Sequence, residues 1–521
     1  MTGICNCSGS AMCEGMMRRS DYLLVFLGAL LLALSRLPLN LGWLVFIGWI
    51  PFLMVFERCN CRPRQLLWVA AIKAVVYILV VMYWIGAVTP PGLIGIVLVY
   101  TGFYFIAFYA IYRIYALLPK LRYMGFVAVL ISFEYVQNFG ETRFPWFNQA
   151  YSLADYTILI QLADLGGVVL LSLLCLLFNV LIYRLLAHKR RLQPLVIIIL
   201  LLGLWLGYGH YCLRYKPLEK HEAQIHVMQP SIEQDLKWDE EQYYRSMALF
   251  QELTLKAVED SARLVIWPEG AVTRYLRHDL QAQLDLKAIL DTVKVDIFTG
   301  FPHFEPAPPG HRNQELYYNA ATLVRPGPVF GELYFKNILV PMGERTLWLD
   351  TFPFLWVLNF QQANWEFGTK LEYFQSGNLE FSPSICYELA FPEIHHRMAI
   401  PWDGLQHRYR KCDYLVNITN DAWFGTSYGP WLHAMMAKFR AVENRIQIYR
   451  SANTGISLVV DPKGRILAQT RLFEVTNITA PLYTSPEITL QRRIHRWPML
   501  VLAFALLITL LSCVKTMPRR S

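Results

Sequence analysis

Eight apolar stretches, at 21–36, 40–57, 66–88, 92–117, 122–138, 158–184, 194–213 and 497–514, constrain this chain more than any other feature. A helix needs about 20 apolar residues to cross the hydrocarbon core of a bilayer. Inside that core an open sheet or an irregular chain would leave backbone groups unsatisfied. The stretches therefore predict a membrane α-helical bundle of about eight spans. The second and fifth are short, so a tilted, broken or re-entrant course is expected there. Composition agrees: charged residues make up 17% of the chain, where soluble domains carry about 25%. The spans themselves are almost charge-free.

The basic residues order these spans. Arg18-Arg19, Arg58 to Arg64, Arg113 to Arg122, His188 to Arg191 and Lys515 to Arg520 all fall on one face of the predicted bundle. The loops at 36–40, 89–92 and 139–157 fall on the other and are poorer in Lys and Arg. Positive loops stay in the cytoplasm, so both termini are expected there. The resulting organisation is a cytoplasmic tail at 1–20, about seven helices over 21–213, an extracytoplasmic segment at 214–496, a last helix at 497–514 and a tail at 515–521. The net charge of +9 sits beside apolar runs, which suits membrane flanks rather than nucleic acid. The first run follows Arg18-Arg19 without a small-residue cleavage site and reads as an uncleaved signal anchor.

Segment 214–496 reads as an α/β domain. Short apolar runs at Gln224–Met228, Leu264–Trp267, Ile297–Gly300, Glu380–Cys386 and Tyr414–Thr419 predict buried strands. Helical patterns fall at 239–258, 279–293 and 430–446. Arg325-Pro-Gly-Pro328 predicts a turn between strands Tyr317–Val324 and Val329–Lys336. Asp461-Pro-Lys-Gly464 predicts another between Asn453–Val460 and Arg465–Gln469. The pattern implies stacked mixed sheets covered by helices. The stretch 345–375 lacks periodicity but holds Trp348, Phe352, Phe354 and Trp356, and predicts an aromatic arm for the membrane interface.

Three residues at predicted strand ends can assemble acyl-transfer chemistry. Cys386 supplies a nucleophile, which needs a base and oxyanion donors. Glu269, in Trp267-Pro-Glu269, is the candidate base. Lys336, in Tyr334-Phe-Lys336, can face an oxyanion and favour the thiolate, and the backbone N–H after Cys386 is a second donor. The ten cysteines form no zinc pattern, because Cys59-x-Cys61 has no matching pair or nearby histidine. Cys386 and Cys412 are expected to be free thiols.

These motifs resemble the nitrilase superfamily: Trp267-Pro-Glu269, Lys336 with Val340-Pro-Met-Gly-Glu344, and Ile385-Cys-Tyr-Glu388. With Asn420-Asp-Ala-Trp-Phe-Gly425, Gly429-Pro-Trp431, His433, Arg440-Ala441 and Arg450-Ser-Ala-Asn453, and with the spans, the chain is similar to the bacterial apolipoprotein N-acyltransferases. The resemblance implies an αββα sandwich in the periplasm of a bacterial inner membrane, acting as a monomer without cofactor or metal. Glu269 is then the general base, Lys336 the oxyanion stabiliser and Cys386 the nucleophile. Cys386 takes a fatty acyl group from a membrane phospholipid as a thioester and passes it to the amine of a diacylglyceryl-cysteine apolipoprotein. The resemblance also implies supporting roles for Glu344 beside Lys336, Trp238 at the entrance, and Tyr387 and Glu388 in the nucleophile's turn. The alternative chemistry is a membrane-anchored amidase that transfers the acyl group to water. A transporter is disfavoured by the nearly charge-free spans. Ile338, and Arg345 to Asp350, depart from the family pattern near the entrance.

Overall fold

The computed structural model describes residues 17–58, 62–187, 192–222, 224–234, 239–327, 331–352, 354–355, 363–403 and 408–514. Trp238, Trp356, Cys59 and Cys61 and the tail residues 1–16 and 515–521 lie outside these. Among the described residues, Pro63–Val81, Pro90–Leu117, Leu159–Ala187 and Leu192–Tyr215 are helical and apolar enough to cross a membrane, and Pro498–Val514 is a shorter apolar helix. Helices Arg19–Leu34 and Arg122–Val136 complete the bundle. The run at 40–57 is broken into a 3-10 turn, Gly42–Phe46, and a helix, Ile50–Arg58. The 66–88 run ends its long helix at Val81 and restarts as the single turn Ile85–Val88.

The few charges inside the bundle are buried and engaged. The Lys73 ammonium lies 3.9 Å from the centroid of the Tyr77 ring, a cation–π contact that partly replaces its hydration. Glu134 accepts from the Gln149 side-chain amide at 2.8 Å and from its backbone N–H at 3.1 Å.

The polar segment builds two six-stranded sheets. One runs in the order Thr476–Thr479, Ile225–Gln229, Leu264–Ile266, Asp296–Pro306, Glu315–Val324, Leu333–Phe335; the other runs Ile466–Gln469, Leu458–Val460, Gln447–Ala452, Tyr414–Thr419, Leu379–Ile385, Phe374–Ser376. Phe298 of the first meets Phe374 and Phe381 of the second, with centroids 5.3 and 5.2 Å away. Helices Glu240–Glu259 and Leu280–Val293 cover the first sheet, where Phe250 stacks on Trp267 at 4.5 Å. Helices Pro392–Ala399 and Met436–Asn444 cover the second. The layers are those of an αββα sandwich.

Both expected hairpins form, with Ala320 paired to Phe335 in one and Leu458 to Gln469 in the other. Two expectations are corrected. The helix at 430–446 is two, Gly429–Ala434 and Met436–Asn444. Strand Gln447–Ala452 follows it, while the strand expected at 453–460 is confined to Leu458–Val460. The missed strand was masked by its own polarity: Gln447, Arg450 and Ser451 are fully buried in it.

The second helical layer rests on the bundle. Arg445 reaches down to Asp164, with Nη2 2.5 Å from Oδ2, and Lys216 meets the same oxygen at 2.7 Å. Glu443 accepts from the backbone N–H of Val168 at 2.9 Å, and Phe439 packs edge-on against Tyr151. Of the aromatic arm, Trp348, Phe352 and Phe354 are exposed. Its base is fixed by buried Arg345, which pairs with Asp350 and Glu366.

Candidate active site

Parallel strands deliver the nucleophile and the base to one edge of the sandwich. Cys386 follows strand Leu379–Ile385 and opens the 3-10 turn Cys386–Ala390. Its φ is +50°, a left-handed conformation that costs a non-glycine residue roughly 1–2 kcal/mol. Such strain persists only where the surroundings fix it. Glu269 lies three residues past strand Leu264–Ile266. The chain can pass there because position 300 is glycine: a Cβ on Gly300 would stand 2.9 Å from the Gly270 nitrogen and 3.1 Å from the Glu269 Cα. Lys336 follows strand Leu333–Phe335, and its backbone N–H bonds to the Asn319 carbonyl at 2.9 Å.

The three charged predictions meet. Lys336 Nζ is fully buried, 2.8 Å from Glu344 Oε1 and 3.4 Å from Glu269 Oε1. Glu269 is held on its other oxygen by the Asn420 backbone N–H at 2.9 Å, and Glu344 by that of Val340 at 2.8 Å. Burial opposes the Lys336 charge, but Glu269 and Glu344 outweigh it and hold its pKa well above the ordinary value. Burial, then the Glu269 charge, push the Cys386 thiol in the same direction, while Lys336 pulls it back. The resting site thus holds an ammonium and a protonated thiol.

Asn319 was not singled out from the sequence. Its side-chain amide donates to Glu269 at 2.7 Å and to Glu344 at 3.3 Å, so one residue spaces both carboxylates. Only the register of Glu315–Val324 against Leu333–Phe335 reveals it, because that pairing sets Asn319 beside the residue after Phe335.

Glu388 does not face the reacting groups. It is fully buried. It accepts from the backbone N–H groups of Asn337 (2.6 Å), Ile338 (3.1 Å) and Ile385 (2.7 Å) and from the Tyr334 hydroxyl (2.8 and 2.9 Å). It ties the chain after Lys336 to the chain before Cys386. Burial pushes its carboxyl up to about 7, against the pull of these donors. Tyr387 turns the other way, and its hydroxyl donates to the Arg143 carbonyl at 2.7 Å. Cys386 and Cys412 are both free.

The carbon-nitrogen hydrolase family matches residues 224–485, and the apolipoprotein N-acyltransferase N-terminal domain matches residues 28–181. An apolipoprotein N-acyltransferase of Geobacter metallireducens is 31% identical over 479 residues, 88% of either chain. The chain belongs to the apolipoprotein N-acyltransferase family. One from Chlorobaculum tepidum is 28% identical over 511 residues, 90% of this chain and 92% of that one. Among solved structures, a nitrilase-superfamily amidase of Nesterenkonia is 18% identical, with a TM-score of 0.37, covering 54% of this chain and 97% of that one.

In this apolipoprotein N-acyltransferase family member the two matched regions meet at the cysteine turn. Tyr387 reaches Arg143 in the N-terminal region, and Tyr151 of that region donates to the Ala390 carbonyl at 3.3 Å. The turn is therefore clamped from the sandwich by Glu388 and from the bundle by two tyrosine bonds.

Proposed function

We propose that the chain transfers a fatty acyl chain from a membrane phospholipid, through a Cys386 thioester, to the N-terminal amine of a diacylglyceryl-cysteine apolipoprotein. One observation supports the roles: Lys336 Nζ sits between Glu269 and Glu344, and the charges of all three act on the Cys386 thiol. Glu269 takes the thiol proton, and the thiolate attacks the ester carbonyl carbon. The oxyanion that forms is stabilised by the Lys336 ammonium and the backbone N–H after Cys386. When the carbon–oxygen bond breaks, Glu269 returns its proton to the departing lysophospholipid. The acceptor amine then attacks the thioester, Glu269 takes the amine's proton, and Cys386 leaves and recovers it. Glu344 orients Lys336, Tyr387 and Glu388 hold the turn, and Trp238 belongs to the entrance.

In this reading about eight spans hold the sandwich outside the cytoplasm of a bacterial inner membrane, with both termini inside. The domain runs over 214–496 between membrane regions 21–213 and 497–514, and the protein acts as a monomer. The exposed Trp348, Phe352 and Phe354 suit an arm at the lipid interface, where both lipid substrates lie. Keeping water from the thioester directs the acyl group to the amine rather than to hydrolysis.

Intact-mass measurement after incubation with phospholipid tests the reading. The expected result is a fatty-acyl increment that is absent from Cys386→Ala, is removed by neutral hydroxylamine and moves to a diacylated lipopeptide. A folded, lipid-bound protein that never gains the increment removes the covalent mechanism, and release of free fatty acid alone makes it a hydrolase.

A further inference from the structure

His433 lies behind the nucleophile and plays no part in the scheme above. Its ring is buried, packed against Trp146 and Phe424 with centroids 5.7 and 6.0 Å away. Nε2 is 3.1 Å from the carbonyl oxygen of Cys386. A carbonyl can only accept, so Nε2 carries the proton. On the other side Nδ1 faces Arg450 Nη2 at 3.2 Å and Asp421 Oδ1 at 3.0 Å.

The groups around Nδ1 fix the ring. Arg450 pairs with Asp421 at 2.6 Å and donates to Asn417, while Thr419 donates to Asp421 at 2.9 Å. Asp421 fits because position 455 is glycine: a Cβ there would stand 2.5 Å from the Asp421 Cβ. In the neutral ring Nδ1 accepts from Arg450. A second proton would go to Nδ1 and face Asp421. The Nε2–H bond to Cys386 is present in either state.

The sulfur of Cys386, a ring nitrogen of His433 and a carboxylate oxygen of Asp421 lie within 4.8 Å of one another. That spacing would suit a general base or a metal ligand set, but the hydrogen bonds favour neither. Nε2 is spent on the carbonyl, Nδ1 on Arg450 and Asp421, and Asp421 on Arg450 and Thr419. What remains is a hold on the backbone of a residue at φ +50°.

We propose that His433 is a positioning residue for the nucleophile: its Nε2–H grips the Cys386 carbonyl, and Arg450 and Asp421 brace the ring, so that the left-handed turn aims the thiol at the Glu269–Lys336 pair. This rests on Cys386 being the nucleophile. A glutamine can place an amide N–H where Nε2–H sits, but it cannot take a proton, which separates holding from base catalysis.

The test uses the full chain in detergent. Two rates are read for wild type, His433→Gln and His433→Leu: alkylation of Cys386 by iodoacetamide, followed by peptide mapping, and acyl-enzyme formation from phospholipid. Thermal unfolding is recorded beside them. His433→Leu is expected to slow both rates at least tenfold, with KM for phospholipid within twofold. His433→Gln is expected to recover most of the loss. Alkylation of His433→Leu at the wild-type rate overturns the inference. So does a His433→Gln variant that unfolds like wild type yet is as slow as His433→Leu, which would assign the ring to proton transfer. If His433→Leu does not fold, the decision rests on His433→Gln alone. Wild-type protein that is alkylated at Cys386 but never acylated would instead remove the reading of Cys386 as nucleophile, and the two failures are distinct.

Discussion

Removing the Glu388 carboxylate tests whether the site is held together by a residue that does no chemistry. In Glu388→Ala, three backbone N–H groups and the Tyr334 hydroxyl lose their acceptor in a fully buried place. Each unsatisfied group costs about 1–3 kcal/mol. Water entering the vacated volume offsets part of this, so the expected loss is about 4 kcal/mol. Glu388→Gln keeps one acceptor oxygen and is expected to lose about 1–3 kcal/mol. The kinetic effect is expected to be larger than the stability effect implies, because Glu388 joins the residues after Lys336 to the residue before Cys386. Misplacing reacting groups by about 1 Å costs on the order of 100-fold in rate. Single-turnover acyl-enzyme formation, read by intact mass at a temperature where both variants are folded, should fall about 100-fold in Glu388→Ala and less in Glu388→Gln. Thermal unfolding in detergent supplies the stability. A Glu388→Ala protein that unfolds at the wild-type midpoint and acylates within threefold of wild type would refute the clamp.

Asn319 spaces two carboxylates, so Asn319→Ala is expected to slow acylation about tenfold with KM for phospholipid little changed, while Asn319→Asp is slower still because it adds a third negative charge beside Glu269 and Glu344; stopped acylation assays rank the two, and equal activity of Asn319→Asp and wild type would remove this role. Burial and Glu269 raise the Cys386 pKa, so less thiolate is present at any given pH than for a free thiol of about 8.5. Its alkylation rate should therefore keep rising through pH 9 without levelling; a plateau below pH 8 would contradict the protonated resting thiol.

The long apolar helices and the places of Glu269, Lys336 and Cys386 after strands were legible because each depends on local chemistry. Apolar length sets a span, and Glu269, Lys336 and Cys386 each follow an apolar run that predicts a strand end. The break at 40–57 was legible from its shortness alone. Strand Gln447–Ala452 was not, because its polar residues are satisfied by distant partners: Arg450 by Asn417 and Asp421, Gln447 by the Pro481 carbonyl. Asn319 was hidden for a related reason, and so were the partners of Glu388. Asn319 is seen only once strand register is known, and Glu388 stands beside the nucleophile in sequence while its side chain points back to the Lys336 strand. Lys73 and Glu134 sat unnoticed inside spans that read as apolar, since one charge in a long run barely changes its hydropathy.

In the proposed mechanism the charge arrangement keeps the resting thiol from reacting. Two carboxylates surround one ammonium beside a half-buried thiol. A thiolate formed with both carboxylates ionised would add a third negative charge to a region holding one positive charge, which burial penalises. Transfer of the thiol proton to Glu269 avoids this, because it neutralises one carboxylate as it creates the thiolate and leaves the net charge unchanged. In that mechanism Lys336 stays an ammonium, since Glu344 stands 2.8 Å from Nζ. It can then donate to an oxyanion as the bond to Glu269 weakens. In the proposed mechanism the thiol thus becomes nucleophilic only together with proton transfer to Glu269, and the negative charge that next develops on the substrate oxygen meets the cation that the proton transfer has just released. The same logic makes Lys336 unsuited to act as the base: a lysine held charged by two carboxylates has no lone pair to accept the proton.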